Sequence, residues 1–180
     1  TQGDAQDDPA IRLQLCSGSL DDALTAPIWG GMGVLECIAK PDENVAGSRI
    51  KLATASLCNA FSVVNQAYHG ITTPGNPVPL YLAGGSVLYY RIGSGARIPL
   101  PVSPQVAALA NSGDEAVGAD GFVWDLTNNL IDVYSSASSS NPKVNISLLM
   151  VSMQGNLTVK KDASGNVTWA TDKPCGLFLI

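Results

Sequence analysis

The residues able to do chemistry are few and scattered. His69 is the sole histidine, and general-base work would need a nucleophile and an orienting carboxylate to converge on it. No GxSxG elbow occurs, and Gly93-Ser94-Gly95 is too short a match to one, so His69 reads as a loop or packing histidine. The adjacent carboxylates Asp7-Asp8, Asp21-Asp22 and Asp114-Glu115 are of the kind used in glycoside hydrolysis, where two carboxyl groups face each other about 5–9 Å apart across a cleft. Neighbours on loops read more simply as solvated surface. Calcium could take oxygens from Asp4-Ala-Gln-Asp7-Asp8 or from Gly113 to Asp120, but neither segment has the spacing of an EF-hand loop.

Cys16, Cys37, Cys58 and Cys175 lack any CxxC pair and have one histidine between them, which excludes a zinc set. Each sits in or beside an apolar segment and reads as a small buried hydrophobe, with disulfides the alternative in an oxidising compartment. The Gly30-Gly31-Met32-Gly33 run follows Trp29 and leads into a strand rather than a helix. It therefore lacks the helix N-terminus that a phosphate cradle needs, and reads as a close-packed turn beneath Trp29. The sequons at Asn145, Asn156 and Asn166 matter only in a secreted eukaryotic chain. No catalytic, cofactor-binding or metal-binding residue is predicted.

The elements that would hold these residues are short. Charged residues are 14% of the 180, and 18 Gly with 11 Pro break regular structure often, which disfavours long solvated helices. The net charge of −5 comes with singly scattered Lys and Arg apart from Lys160-Lys161, so no basic stripe points to nucleic acid or an anionic membrane. No apolar run is long enough for a spanning helix and no leader is visible, so a soluble chain is expected. Residues 1–10 are acidic and nearly devoid of apolar side chains, and predict an extended arm outside a single domain over 11–180. Deleting residues 1–9 is accordingly expected to leave the fold intact.

Ile11, Leu13 and Leu15 alternate with polar residues and predict a strand; 34–39, 49–54 and 86–92 predict three more. Prolines 74, 77 and 79 predict an ordered extended link, and 105–111 a helical turn or two. Gly121–Leu126 and Leu130–Tyr134 predict a hairpin through Asn128-Asn129, because Asn tolerates the left-handed conformation. One strand is expected over Val144–Met150, a second hairpin over 157–169, and a buried strand at the C-terminal CGLFLI. The sum is a mostly-β antiparallel sandwich or barrel-like domain, with helix under about 15%.

PIWGGMGVLECI (27–38), FSVVNQAYHGITTPGNPVPL (61–80) and SVLYYRIGSGARIPL (86–100) resemble segments of small structural proteins of tailed bacteriophages. The resemblance implies a head decoration, or cement, protein: non-enzymatic, β-rich, often trimeric, made in the host cytoplasm with reduced cysteines. It would bind the major capsid protein on the outer surface of the virion. Low charge density suits burial against other subunits. The expected contacts are the arm with Asp4, Asp7 and Asp8, and the loops with Trp29, Pro74, Pro77 and Pro79, where rigid prolines lower the ordering cost. The rival is an extracellular carbohydrate-binding or fimbria-like β-sandwich, with Trp29, Tyr89, Tyr90 or Trp124 as stacking platforms.

Overall fold

The computed structural model describes residues 1–6, 8–39, 47–65, 72–112 and 121–180. It is mostly β, with 40% strand and 9% helix. The elements are α1 (Pro9–Arg12), β1 (Cys16–Leu20), β2 (Gly33–Cys37), β3 (Ser48–Leu52), β4 (Ala60–Ser62), β5 (Ser86–Arg91), β6 (Arg97–Pro101) and α2 (Pro104–Ser112). There follow β7 (Phe122–Asp125), β8 (Leu130–Val133), β9 (Lys143–Val144), β10 (Ser147–Ser152), β11 (Thr158–Lys161), β12 (Val167–Ala170) and β13 (Cys175–Leu179).

Strands β1-β3-β2-β4-β5 close into a barrel, parallel between β1 and β3 and antiparallel elsewhere. Register puts Gly18, Leu20, Val34, Ile50, Ala60, Val87 and Tyr89 on one face, and all are buried. This is the lumen, and five strands leave it narrow. A Cβ on Gly18 would lie 2.6 Å from the Ser48 carbonyl oxygen and 2.8 Å from Ile50, so the lumen has room only for hydrogen there.

The outer face of the barrel is partly covered. Phe61 on β4 stands directly opposite Gly33 on β2, and Trp124 of β7 packs over both, its ring edge-on to Phe61 at 5.7 Å between centroids. Sheet β8-β7-β9 thereby docks on the barrel. Helix α2 begins where Ser103 Oγ accepts the amide of Val106 and donates to Asp132 Oδ1 on β8, with Pro104 at the first helical position, where its missing N–H costs nothing. The third sheet is β10-β13-β6, and β11 and β12 form a separate two-stranded hairpin. One buried cluster runs from Leu20 to Ile180 through all of these parts.

Both predicted hairpins form, and Asn129 takes the left-handed φ of 53° at the first of them. Three local expectations change. Residues 11–15 are not a strand: Asp8 Oδ1 accepts the Ala10 amide and Pro9 opens α1, so capping chemistry overrides the alternation. Residues 97–101, over which the sequence predicts no strand, are strand β6. The carbonyls of Arg97 and Pro99 accept from Gln6 and Gly3, so by alternation Pro99 lacks its N–H on the side facing away from β13, where the ladder does not need it. The single strand over 144–150 is two, β9 paired to β7 and β10 paired to β13.

Residues 2, 3 and 6 make hydrogen bonds to the body of the protein. Gln2 is 1% exposed and Gly3 is buried. The Gln2 and Gly3 amides donate to the Leu157 and Pro99 carbonyls, and Gly3 accepts from Val64. Gln2 Nε2 donates to the Gly30 carbonyl at 3.2 Å and its Oε1 accepts from the Val159 amide at 2.9 Å. A segment with almost no apolar side chain is thus held by satisfied polar groups, with hydropathy contributing little.

Candidate functional site

One end of the barrel lumen is closed by a polar network built around Glu36. Strand β2 turns this carboxylate inward, and it meets β5 and β3 residues across the lumen: Tyr89 OH donates to Oε1 at 2.7 Å and Ser48 Oγ at 2.5 Å. Arg91 adds a fork, Nε to Oε2 at 2.5 Å and Nη2 to Oε1 at 2.7 Å. Asn59 fixes the backbone beneath, accepting the Glu36 amide at 2.8 Å and donating to its carbonyl. The Glu36 side chain is 15% exposed while that of Arg91 is 57% exposed. Arg91, with Ser48 and Tyr89 assisting, holds the Glu36 carboxyl down at about 2 despite its burial. Burial and the neighbouring carboxylate push the Tyr89 phenol up to about 12.

Such a group is a lock rather than an acid or base poised near neutrality. Its effect on stability has a definite sign. The folded value lies below the ordinary 4.5, so the contribution is complete above the unfolded pKa and disappears as pH falls through the interval down to about 2. Glu36→Gln is expected to cost about 2–3 kcal/mol at neutral pH, allowing for solvent screening at Arg91. The gap between the urea midpoints of the two proteins should narrow from about pH 4.5 downward and close only as the pH approaches about 2; a gap that stays constant from neutrality into acid would contradict the lock.

Asp21 is engaged in a similar way. Asp21 Oδ1 accepts the Ala23 amide while Oδ2 faces Lys51 at 3.1 Å and Arg49 at 3.7 Å. Asp22 is exposed, so this pair forms no facing acid and base. His69 and Asp114-Glu115 lie outside the described residues. Burial drives the Cys58 thiol up to about 12 and the Cys175 thiol to about 11. Cys16 and Cys37 are half-buried, and none of the four cysteines is bonded to another. Among the described residues no three His, Cys, Asp or Glu side chains converge as a metal set would, and no helix is long and apolar enough to cross a membrane.

The predicted contact residues divide. Asp4 is half-buried, Asp8 is exposed but caps α1, and Asp7 lies outside the described residues. Pro74 and Pro77 are exposed and Pro79 is half-buried. Trp29 is 3% exposed: its indole belongs to the core, and the glycines after it serve packing, as a Cβ on Gly30 would strike Val64 at 2.5 Å. Tyr89, Tyr90 and Trp124 are likewise buried, which removes the stacking platforms of a carbohydrate-binding sandwich.

The surface that sequence reasoning missed is the edge strand β10. It pairs with β13 on one side and has no strand partner on the other among the described residues. Its sequence SLLMVS carries no charge and no proline, the devices that normally protect an edge. Leu149 and Met150 are 45% and 56% exposed, and Met153 and Leu179 lie close to the same strand edge or sheet at 58% and 38%. A register shift between Leu148 and Met150 lets Leu149 and Met150 both reach solvent instead of alternating. The even apolar run was legible, but not which of its edges lacked a partner.

No protein-family model, curated protein or solved structure matches this chain.

Proposed function

We propose that the chain is a non-enzymatic structural subunit that attaches in several copies to the outer surface of a phage capsid, contacting the major capsid protein and stabilising the shell. The observation that carries attachment is strand β10, uncharged and with no second strand partner among the described residues, with the exposed Leu149, Met150 and Met153 on or beside it. Covering the exposed part of each of these side chains, about half of it, contributes about 1 kcal/mol, and a partner strand would pair with the β10 edge as well. The phage shell as the partner comes from the sequence resemblance. The non-enzymatic reading is supported by burial that pushes the Cys58 and Cys175 thiols up and by a Glu36 carboxylate locked to Arg91.

Purified shells lacking the protein, mixed with it, test this reading. The wild-type chain should bind at saturating stoichiometry and raise the temperature at which shells rupture. Met150→Lys puts a charge on an exposed position, so its own stability should change by only about 0.5 kcal/mol, yet its occupancy at limiting concentration should fall about tenfold or more. Unchanged occupancy and rupture temperature with Met150→Lys would remove β10 from the attachment surface; no binding by the wild-type chain would remove the capsid assignment.

A further inference from the structure

A cleft of about 460 Å³ lies between the turn after β7, the segment leading to Trp29, and the β11–β12 hairpin. That volume falls in the range of small-ligand sites. Three of its lining residues are Lys160, Lys161 and Lys173, half of the six lysines in a chain of net charge −5. None of the three ammonium groups makes an ion pair or hydrogen bond with a described residue. Asp162 also lines the cleft, but both its oxygens are taken by the amide and side chain of Asn166 in its own turn. Asp125, at the head of the opposing turn, is likewise engaged by Thr127 and Asn128.

The walls are not uniformly charged. Pro27 and Leu126 offer apolar surface, and Thr127 and Asn128 offer a hydroxyl and an amide. Trp29 forms part of the wall; it is 3% exposed and its Nε1–H has no acceptor among the described residues, an uncommon state for a buried donor. The site therefore combines unpaired cations, neutral hydrogen-bonding groups, an apolar strip and a free buried donor.

From this combination we infer that the cleft binds a carboxylated sugar unit, a pyranose carrying an acid group. The carboxylate takes the lysines, the hydroxyls take Thr127 and Asn128, and an apolar ring face lies on Pro27 and Leu126. A bare phosphate would use only the cations, and an acidic peptide strand would need an open groove. The inference is independent of capsid attachment, because no residue of the β10 edge lines this cleft.

The test is protein-observed NMR titration of the whole chain with N-acetylneuraminic acid and glucuronic acid, against methyl glucoside, acetate and inorganic phosphate. Both or either acidic sugar should shift resonances of 126–129 and 160–161 saturably, and more tightly than every control. Binding should weaken as salt rises from about 50 to 300 mM. Lys161→Gln with Lys173→Gln should reduce affinity about tenfold or more, while the remaining spectrum stays that of the folded protein. No shift with either acidic sugar overturns the inference. Equal affinity for acetate or phosphate overturns it in favour of a simple anion site, and equal affinity for methyl glucoside removes the role of the lysines.

Discussion

Deleting residues 1–6 is expected to abolish cooperative folding, the reverse of what the composition of that segment implies. The deletion removes the backbone bonds from Gln2 to Leu157, from Gly3 to Pro99, from Val64 to Gly3 and from Gln6 to Arg97. It also removes both side-chain bonds of Gln2, to Gly30 and from Val159. The partners stay behind in the body of the protein, and each one left buried and unsatisfied costs about 1–3 kcal/mol. Their sum rivals the roughly 5–15 kcal/mol of a whole domain. The loss spreads over β6, the hairpin strand β11, the Gly30 turn and the segment after β4, so no single part can relax to absorb it.

Gln2→Ala isolates the side chain. It orphans the Val159 amide and the Gly30 carbonyl and leaves a void where Gln2 was 1% exposed, for an expected cost of about 2–4 kcal/mol. Urea denaturation followed by tryptophan fluorescence reads both effects. A truncated chain that melts cooperatively within a few degrees of the full one would show that residues 1–6 lie on the surface of an already complete fold.

The reason the segment misleads is physical. Sequence patterns report apolar periodicity, and Gln2 is held by hydrogen bonds to residues 28 and 157 positions away. The same limit hid Glu36, a single carboxylate in VLECIA whose partners Tyr89 and Arg91 are 53 and 55 positions on. Strand β6 was obscured by Pro99 and Pro101, which are tolerated because the N-terminal segment, not a ladder strand, flanks their side. Where the determinants are local, the reading was accurate. The β7–β8 and β11–β12 hairpins carry their own alternation and turn residues, and α2 carries a Ser-Pro start. Among the predicted contact residues Trp29 is itself buried, and the glycines that follow it permit close packing there.

The interlock between barrel and β7 makes the second large effect predictable. Trp124 is 1% exposed and edge-on to Phe61, so Trp124→Ala should cost about 3–5 kcal/mol. Its position explains Gly33 as well. A Cβ there would lie 2.8 Å from three atoms of the indole, and the ring cannot retreat because Phe61 and the rest of the core hold it. Gly33 has no positive φ, so its backbone alone does not demand glycine. Gly33→Ala should therefore cost about 1–3 kcal/mol by overpacking. In the Trp124→Ala background the added methyl enters the space the ring has left, and the cost of Gly33→Ala should fall to about zero or reverse, a coupling of about 1–3 kcal/mol. A double-mutant cycle on urea midpoints measures it directly. If the two costs simply add, the close approach of β2 to the indole is not what excludes a side chain at 33, and the docking of β7 on the barrel rests on Phe61 alone.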